Sequence, residues 1–228
     1  MRIQYCSDLH LEFDQNSEYL SKNPLQVKGD ILILAGDIAP LHNEFLSNPF
    51  FTFVTNNYKQ VFWVPGNHEM YYKDISEFGY SIHLKLRSNL QIVHNVNFEY
   101  EGIQFIFSTL WSKISKKNEK IIEQSVSDFS CISKGNRKFR ASDFNVQHSE
   151  SLQFLQNATR ETKKPSIIVT HHLPLPACNK TEHANSPINE AFCVDLSPFA
   201  KTCGANFWIY GHSHFNQKAF FVGETVFL

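Results

Sequence analysis

Asp30-Ile31-Leu32-Ile33-Leu34-Ala35-Gly36-Asp37 is apolar from Ile31 to Ala35 and then stops at a glycine and an acid. A short run without polar alternation is the pattern of a strand buried on both faces, as in a sheet covered by helices. The same shape recurs in Gln60-Val61-Phe62-Trp63-Val64-Pro65-Gly66-Asn67, in Ser166-Ile167-Ile168-Val169-Thr170-His171 and in Asn206-Phe207-Trp208-Ile209-Tyr210-Gly211-His212. Arg2–Tyr5 alternates before running into Cys6-Ser7-Asp8. Between these strands, helices are expected over Leu41–Asn57, Asp74–Arg87 and Phe144–Thr162. Buried strands alternating with helices predict an α/β fold made of crossover units. Two hairpins are expected as well, Phe98–Tyr100 with Ile103–Ser108 around Glu101-Gly102, and Gln217–Phe221 with Glu224–Phe227 around Gly223. Their antiparallel strands fit the edges of a mixed sheet or a second sheet.

The chain has 228 residues, a length suited to one domain over 1–228, and shows no internal repeat or low-complexity linker. Aromatics reach 14% and charged residues only 19%, against about 25% in soluble domains, which excludes a disordered chain. No stretch approaches the roughly 18 apolar residues of a membrane span, and the N-terminus lacks the apolar core of a signal peptide. The five cysteines are widely spaced without a CxxC pair, so neither a disulfide framework nor a zinc ribbon is expected. A cytoplasmic location follows as the default.

The net charge of -1 gives no global pull toward nucleic acid or anionic membrane. That neutrality is uneven. A basic excursion at about 113–140 holds eight Lys and Arg against three acidic residues, leaving the rest of the chain acidic. It reads either as a solvated surface excursion or as an arm that meets an anionic substrate.

Each buried strand ends in residues that a strand end does not need: Asp8-Leu9-His10, Gly36-Asp37, Gly66-Asn67-His68-Glu69, Thr170-His171-His172 and Gly211-His212-Ser213-His214. The carboxyl ends of strands in an open α/β sheet line the binding crevice. Asp8 and Asp37 are 29 residues apart and Asp37 and Asn67 30, about one crossover unit each, so successive motifs fall on one edge. Carboxylate, imidazole and amide carbonyl suit divalent Mn, Fe or Zn, and a carboxylate can bridge two ions. Singly, each piece has an ordinary explanation: Gly-Asp is turn chemistry, Asn67 suits a left-handed turn, and a lone His is usually a hydrogen-bonded one. Five such pieces in order, each after an apolar strand, are not explained that way.

These five motifs, from Asp8 to His214, resemble those of the calcineurin-like metallophosphoesterases. The resemblance implies a four-layer αββα sandwich with two mixed β-sheets, which accounts for the hairpins. Carried over by position, it implies one metal held by Asp8, His10, Asp37 and His214. A second would take Asp37, Asn67, His171 and His212, with Asp37 bridging and His172 in support. A hydroxide between the two ions would attack phosphorus in line, with His68 donating a proton to the leaving group or stabilising the transition state.

Smaller expectations surround this core. Glu69 and Tyr71-Tyr72 fit either a pocket mouth or the packing of a helix start. Trp111 fits a stacking platform or the core, and Arg137 and Arg140 fit a phosphate grip or solvated surface. Asp195 fits a carboxylate orienting a ligand histidine, or the cap of a helix near Ser197. The expected partner is a small phosphoester, monoester or diester, with no membrane. A nuclease or cyclic-nucleotide diesterase using the basic excursion is the rival, and an inactive scaffold on the same fold is less favoured because all seven ligand positions are filled by matching types.

Overall fold

The computed structural model describes residues 1–228. Its first sheet contains β1 (Ile3–Cys6), β2 (Ile31–Ala35), β3 (Gln60–Val64), β4 (Ile82–Arg87) and β5 (Leu90–His94), in the order β1-β2-β3-β5-β4. All neighbours are parallel except β4, which returns antiparallel on β5. Three helices follow the early strands: α1 (Asp14–Lys22), α2 (Asn43–Leu46) and α3 (Pro49–Asn57).

The hairpin of β6 (Val96–Tyr100) and β7 (Ile103–Ser108) opens the second sheet, turning through Glu101 and Gly102, both at positive φ. The basic excursion follows, with α4 (Glu119–Ser125), α5 (Asp128–Cys131) and a small ribbon of β8 (Ser133–Lys134) with β9 (Arg137–Lys138). Next come α6 (Ala141–Glu161), β10 (Ser166–Thr170), α7 (Ser197–Ala200), β11 (Phe207–Ile209) and the hairpin of β12 (Phe220–Val222) with β13 (Thr225–Phe227). The second sheet runs β12-β13-β11-β10-β7-β6 and is also mixed.

The period of two along each buried strand explains the layers. Ile31, Ile33 and Ala35 of β2 join Phe62, Val64, Phe105, Phe107, Ile167 and Val169 in a core between the two sheets. Leu32 and Leu34 point the other way, packing with Val61 and Trp63 against Phe50, Phe51 and Val54 of α3. On the far side Ile106, Ile168 and Trp208 pack with Leu155 and Ala158 of α6. The result is the expected sandwich, helix, sheet, sheet, helix.

Two helix expectations are corrected. Over Asp74–Arg87 the structure has a short 3-10 turn, Ile75–Glu77, and then β4. Gly79 at φ 65° breaks the chain, and Ile82-His83-Leu84-Lys85-Leu86 alternates with a strand's period. Over Leu41–Asn57 the helix is split, because Pro49 starts a new one and the Asn48 side chain caps it, accepting from Phe50 N–H at 2.9 Å. The third helix is found over Ala141–Glu161, with Asp143 in its first turn accepting from the Arg140 N–H. No helix is long and apolar enough to cross a membrane.

Candidate metal centre

The parallel strands of both sheets deliver their carboxyl ends to one edge, and the five motifs meet there. Donor atoms of Asp8, His10, Asp37 and His214 all lie within 4.8 Å of one another, and so do those of Asp8, Asp37, His171 and His212. Asn67 Oδ1 is 3.2 Å from His171 Nε2. The first set matches the expected one. The second is gathered as expected, and Asp8 belongs to it too. Asp8, His10, Asp37, His212 and His214 hold left-handed φ angles between 46° and 67°. Non-glycine residues rarely adopt this conformation, which costs about 1 kcal/mol or more each and clusters at working sites.

Close packing at the strand ends makes two glycines obligatory. A Cβ on Gly36, itself at φ +88°, would overlap the His171 ring, and one on Gly66 would overlap the Asp37 carboxylate. Behind them sits Glu69, fully buried. Its carboxylate accepts from five donors: the N–H groups of Asp37 (3.0 Å), Ile38 (2.7 Å), Ala39 (3.4 Å) and Gly66 (2.6 Å), and Trp63 Nε1 (2.9 Å). Burial and the nearby Asp37 raise Glu69, to about 7, against five donors that favour the carboxylate. Glu69 therefore ties the loop after β2 to the loop after β3, rather than lining a pocket mouth.

The donor set can be tested for a cation from its own hydrogen bonds. His171 Nδ1 lies 2.9 Å from the Ala35 carbonyl, which only accepts, so Nδ1 carries the proton and Nε2 is bare in the neutral ring. That bare nitrogen faces Asn67 Oδ1 at 3.2 Å and Asp37 Oδ2 at 3.4 Å, both acceptors. His10 repeats the arrangement. Its Nδ1 meets Glu12 Oε1 at 3.1 Å, and its Nε2 faces His214 Nε2 at 3.1 Å and Asp37 Oδ2 at 3.8 Å. Lone pairs converging on lone pairs repel unless a proton or a metal ion lies among them, and no Lys or Arg side chain forms an ion pair with these donors. The residues present thus fit divalent ions. Burial works to lower the His171 imidazole, but the adjacent Asp37 prevails and raises it to about 10, so this position favours positive charge at Nε2, carried by a proton or by a metal ion. His172 and His212 are held well below the usual range by burial, as neutral imidazoles.

The whole chain compares with known proteins on the same footing. A calcineurin-like phosphoesterase family model matches residues 1–216. The chain belongs to that family. Metal-dependent phosphoester hydrolysis is the family's general chemistry. An uncharacterized protein of Acanthamoeba polyphaga mimivirus, L509, is 34% identical across 99% of this chain and 89% of its own length. Among solved structures, the phosphopantetheinyl hydrolase of Mycobacterium tuberculosis superimposes with a TM-score of 0.73 over 99% of this chain and 87% of that one. At 16% identity it shares the fold.

Two residues of this phosphoesterase site escaped the sequence reading. Glu12 Oε1 lies 2.7 Å from His68 Nδ1 as well as 3.1 Å from His10 Nδ1, so one carboxylate orients both rings. Those hydrogen bonds hold Glu12 down at about 2 despite its burial. Burial works to lower His68, yet the Glu12 hydrogen bond and the Asp37 charge outweigh it and the net shift is upward. The one sequence signal for Glu12 was its place two residues after His10. The other residue is Asp128, buried, whose Oδ1 accepts from Asn67 Nδ2 and from the Tyr71 hydroxyl, each at 2.9 Å. With its amide nitrogen so engaged, Asn67 turns its carbonyl to the cluster.

Asp128 comes from the basic excursion, which therefore reaches the site with an acid. Its bases stay outside. Arg137 pairs with Asp143 at 2.6 and 2.8 Å, and Arg140 with Glu123 at 3.0 Å, so neither grips a phosphate. Trp111 is buried among Phe139 and Phe144, in the core rather than at a stacking surface. Asp195, one residue before the N-cap position of α7, accepts from Ser197 N–H at 3.0 Å and hydrogen-bonds no histidine. His172 is fully buried against His212, ring centroids 4.4 Å apart, and supports it by packing. Tyr71 stacks on His68 at 4.2 Å, while Tyr72 is 72% exposed. Asp37, Asn67, His68, His212 and His214 floor a cavity of 430 Å³, walled by residues 125–128 on one side and 179–192 on the other. That volume suits a small organic ligand.

Proposed function

We propose that this protein is a dinuclear, metal-dependent hydrolase of small phosphoesters. One ion is held by Asp8, His10, Asp37 and His214, and the other by Asp37, Asn67, His171 and His212. The observation that supports this most is the convergence of two donor sets, sharing Asp8 and Asp37, with Asp37, His212 and His214 among them lining the 430 Å³ cavity. When bound, Mn, Fe or Zn ions supply positive charge for the phosphoryl oxygens and an activated water. The protein's part is positioning and proton supply. Asp128 aims the Asn67 carbonyl, Ala35 fixes the His171 ring, and Glu12 fixes His10 and His68. With Nδ1 anchored on Glu12, protonated His68 presents Nε2–H toward the cavity, where it donates to the leaving oxygen.

The test is reconstitution of metal-free protein with Mn, Fe or Zn, followed by hydrolysis of small monoesters, diesters and cyclic nucleotides. Activity is expected only with metal, reversed by chelator and lost in Asn67→Ala. A protein that takes up no metal would be a scaffold, and steeply salt-dependent cleavage of DNA or RNA would favour the nuclease instead. Lys180 is the one Lys or Arg lining the cavity, which supports the small ester.

Glu12 yields a separate expectation. Partners that orient metal-ligating histidines typically contribute 10–100-fold. Glu12→Ala is therefore expected to lower kcat and metal affinity each by roughly 10–100-fold, with Glu12→Gln recovering part by keeping an acceptor. Unchanged kcat and metal content in Glu12→Ala would remove the residue from the mechanism.

A further inference from the structure

A second cavity, of 420 Å³, lies against the first. Ser213 and His214 line both, forming a ridge between them. Asp37 opens only to the first cavity and Asp8 only to the second, so the donor cluster is reached from both sides. Their walls differ. The first offers neutral hydrogen-bonding groups, Ser127, Asn179 and Asn189 among them, with Phe192 beside His212. The second is lined by Tyr5, Tyr210 and Phe215 together with Ser7, Asn216 and Gln217, and contains no Lys or Arg. Tyr5 and Phe215 are 44% and 48% exposed, apolar area left open beside a polar centre. Such area marks a ligand surface when it adjoins a cleft. Lys180, which lines the first cavity, places Nζ 5.6 Å from the centre of the Phe215 ring in the second, so the two are joined at the ridge.

Building on the proposed hydrolysis, we infer that the substrate is a small phosphodiester whose two organic arms lie in the two cavities, with phosphorus over the ridge between them. A monoester would fill one side only. A polymer would need cations along both cavities, where Lys180 stands alone. Both arms meet mixed surfaces: Ser127, Asn179 and Asn189 beside Phe192 in the first cavity, and Tyr5 and Phe215 beside Asn216 and Gln217 in the second. Tyr5 and Phe215 are then specificity residues for the second arm.

The test compares metal-loaded protein on bis(p-nitrophenyl) phosphate and p-nitrophenyl phosphate. Binding of dibenzylphosphinate, an anionic diester mimic whose two P–C bonds cannot be hydrolysed, is measured in parallel by calorimetry. The wild type is expected to favour the diester by at least tenfold in kcat/KM. Phe215→Ala and Tyr5→Ala are each expected to lower the diester-to-monoester ratio about tenfold and to weaken phosphinate binding about tenfold, an effect of the size aromatic stacking supplies. Phe221→Ala, an exposed ring on β12 lining neither cavity, serves as the control and leaves both readouts unchanged. A wild type that prefers the monoester, or phosphinate binding equal in wild type and both variants, overturns the inference. If neither ester is hydrolysed while the variants still weaken phosphinate binding, the hydrolysis falls and the two-armed ligand stands.

Discussion

Asp37→Asn is expected to lower kcat/KM by at least about 10³-fold, close to 4 kcal/mol of transition-state stabilisation, and to remove tight metal binding. Asp37 Oδ2 lies 3.4 Å from His171 Nε2 and 3.8 Å from His10 Nε2, so it reaches an imidazole of each donor set. It is 1% exposed, and its Oδ1 is already occupied by the His68 N–H at 3.0 Å. An amide of the same shape lacks the charge that offsets two divalent ions in a site with little water. The thermal readout separates this from damage to the fold. Ligands that bind only the folded state raise its stability, so metal should raise the wild-type Tm and leave that of Asp37→Asn unchanged. A variant that kept both ions and its activity would show that the shared centre lies elsewhere.

Glu69→Ala carries the largest expected loss of stability, about 3–5 kcal/mol, the range seen when one partner of a buried charged network is removed. Four backbone N–H groups and the Trp63 indole would lose their acceptor in a place where nothing replaces it. For a chain of this size the loss corresponds to a Tm lower by roughly 10 °C or more. Glu69→Gln should also destabilise, because its amide NH₂ would face donors where one carboxylate oxygen now accepts. Urea unfolding of the metal-free proteins measures both. A change below about 1 kcal/mol in Glu69→Ala, within the reach of an ordinary substitution, would mean that the two loops hold themselves.

The site and the fold were legible in the sequence to different depths. Strands β2, β3 and β10 were plain because burial on both faces writes a continuous apolar run. The ligand types were plain because each followed such a run. The stretch Asp74–Arg87 was not, since a short edge strand with charged residues on its open face looks amphipathic in either period until Gly79 is weighed. The residues that organise the site were the least legible. Asn67 and Asp128 are 61 residues apart, and no local period connects them. Charge counting pointed the wrong way there: the excursion at 113–140 is basic in sum, yet its acid Asp128 turns inward while Arg137 and Arg140 pair with Asp143 and Glu123.

By itself, the sequence determined the buried strands and the order of the motifs that end them, because these follow from side-chain burial and spacing along one crossover unit, and the resemblance of those motifs to a family singled out seven candidate donors. Only the tertiary structure decided which partners aim those donors, where the second cavity lies, and that Glu69 faces the loops behind the site. Such facts depend on groups brought together across the chain, as His10 and His214 are across 204 positions, and local pattern carries no record of them.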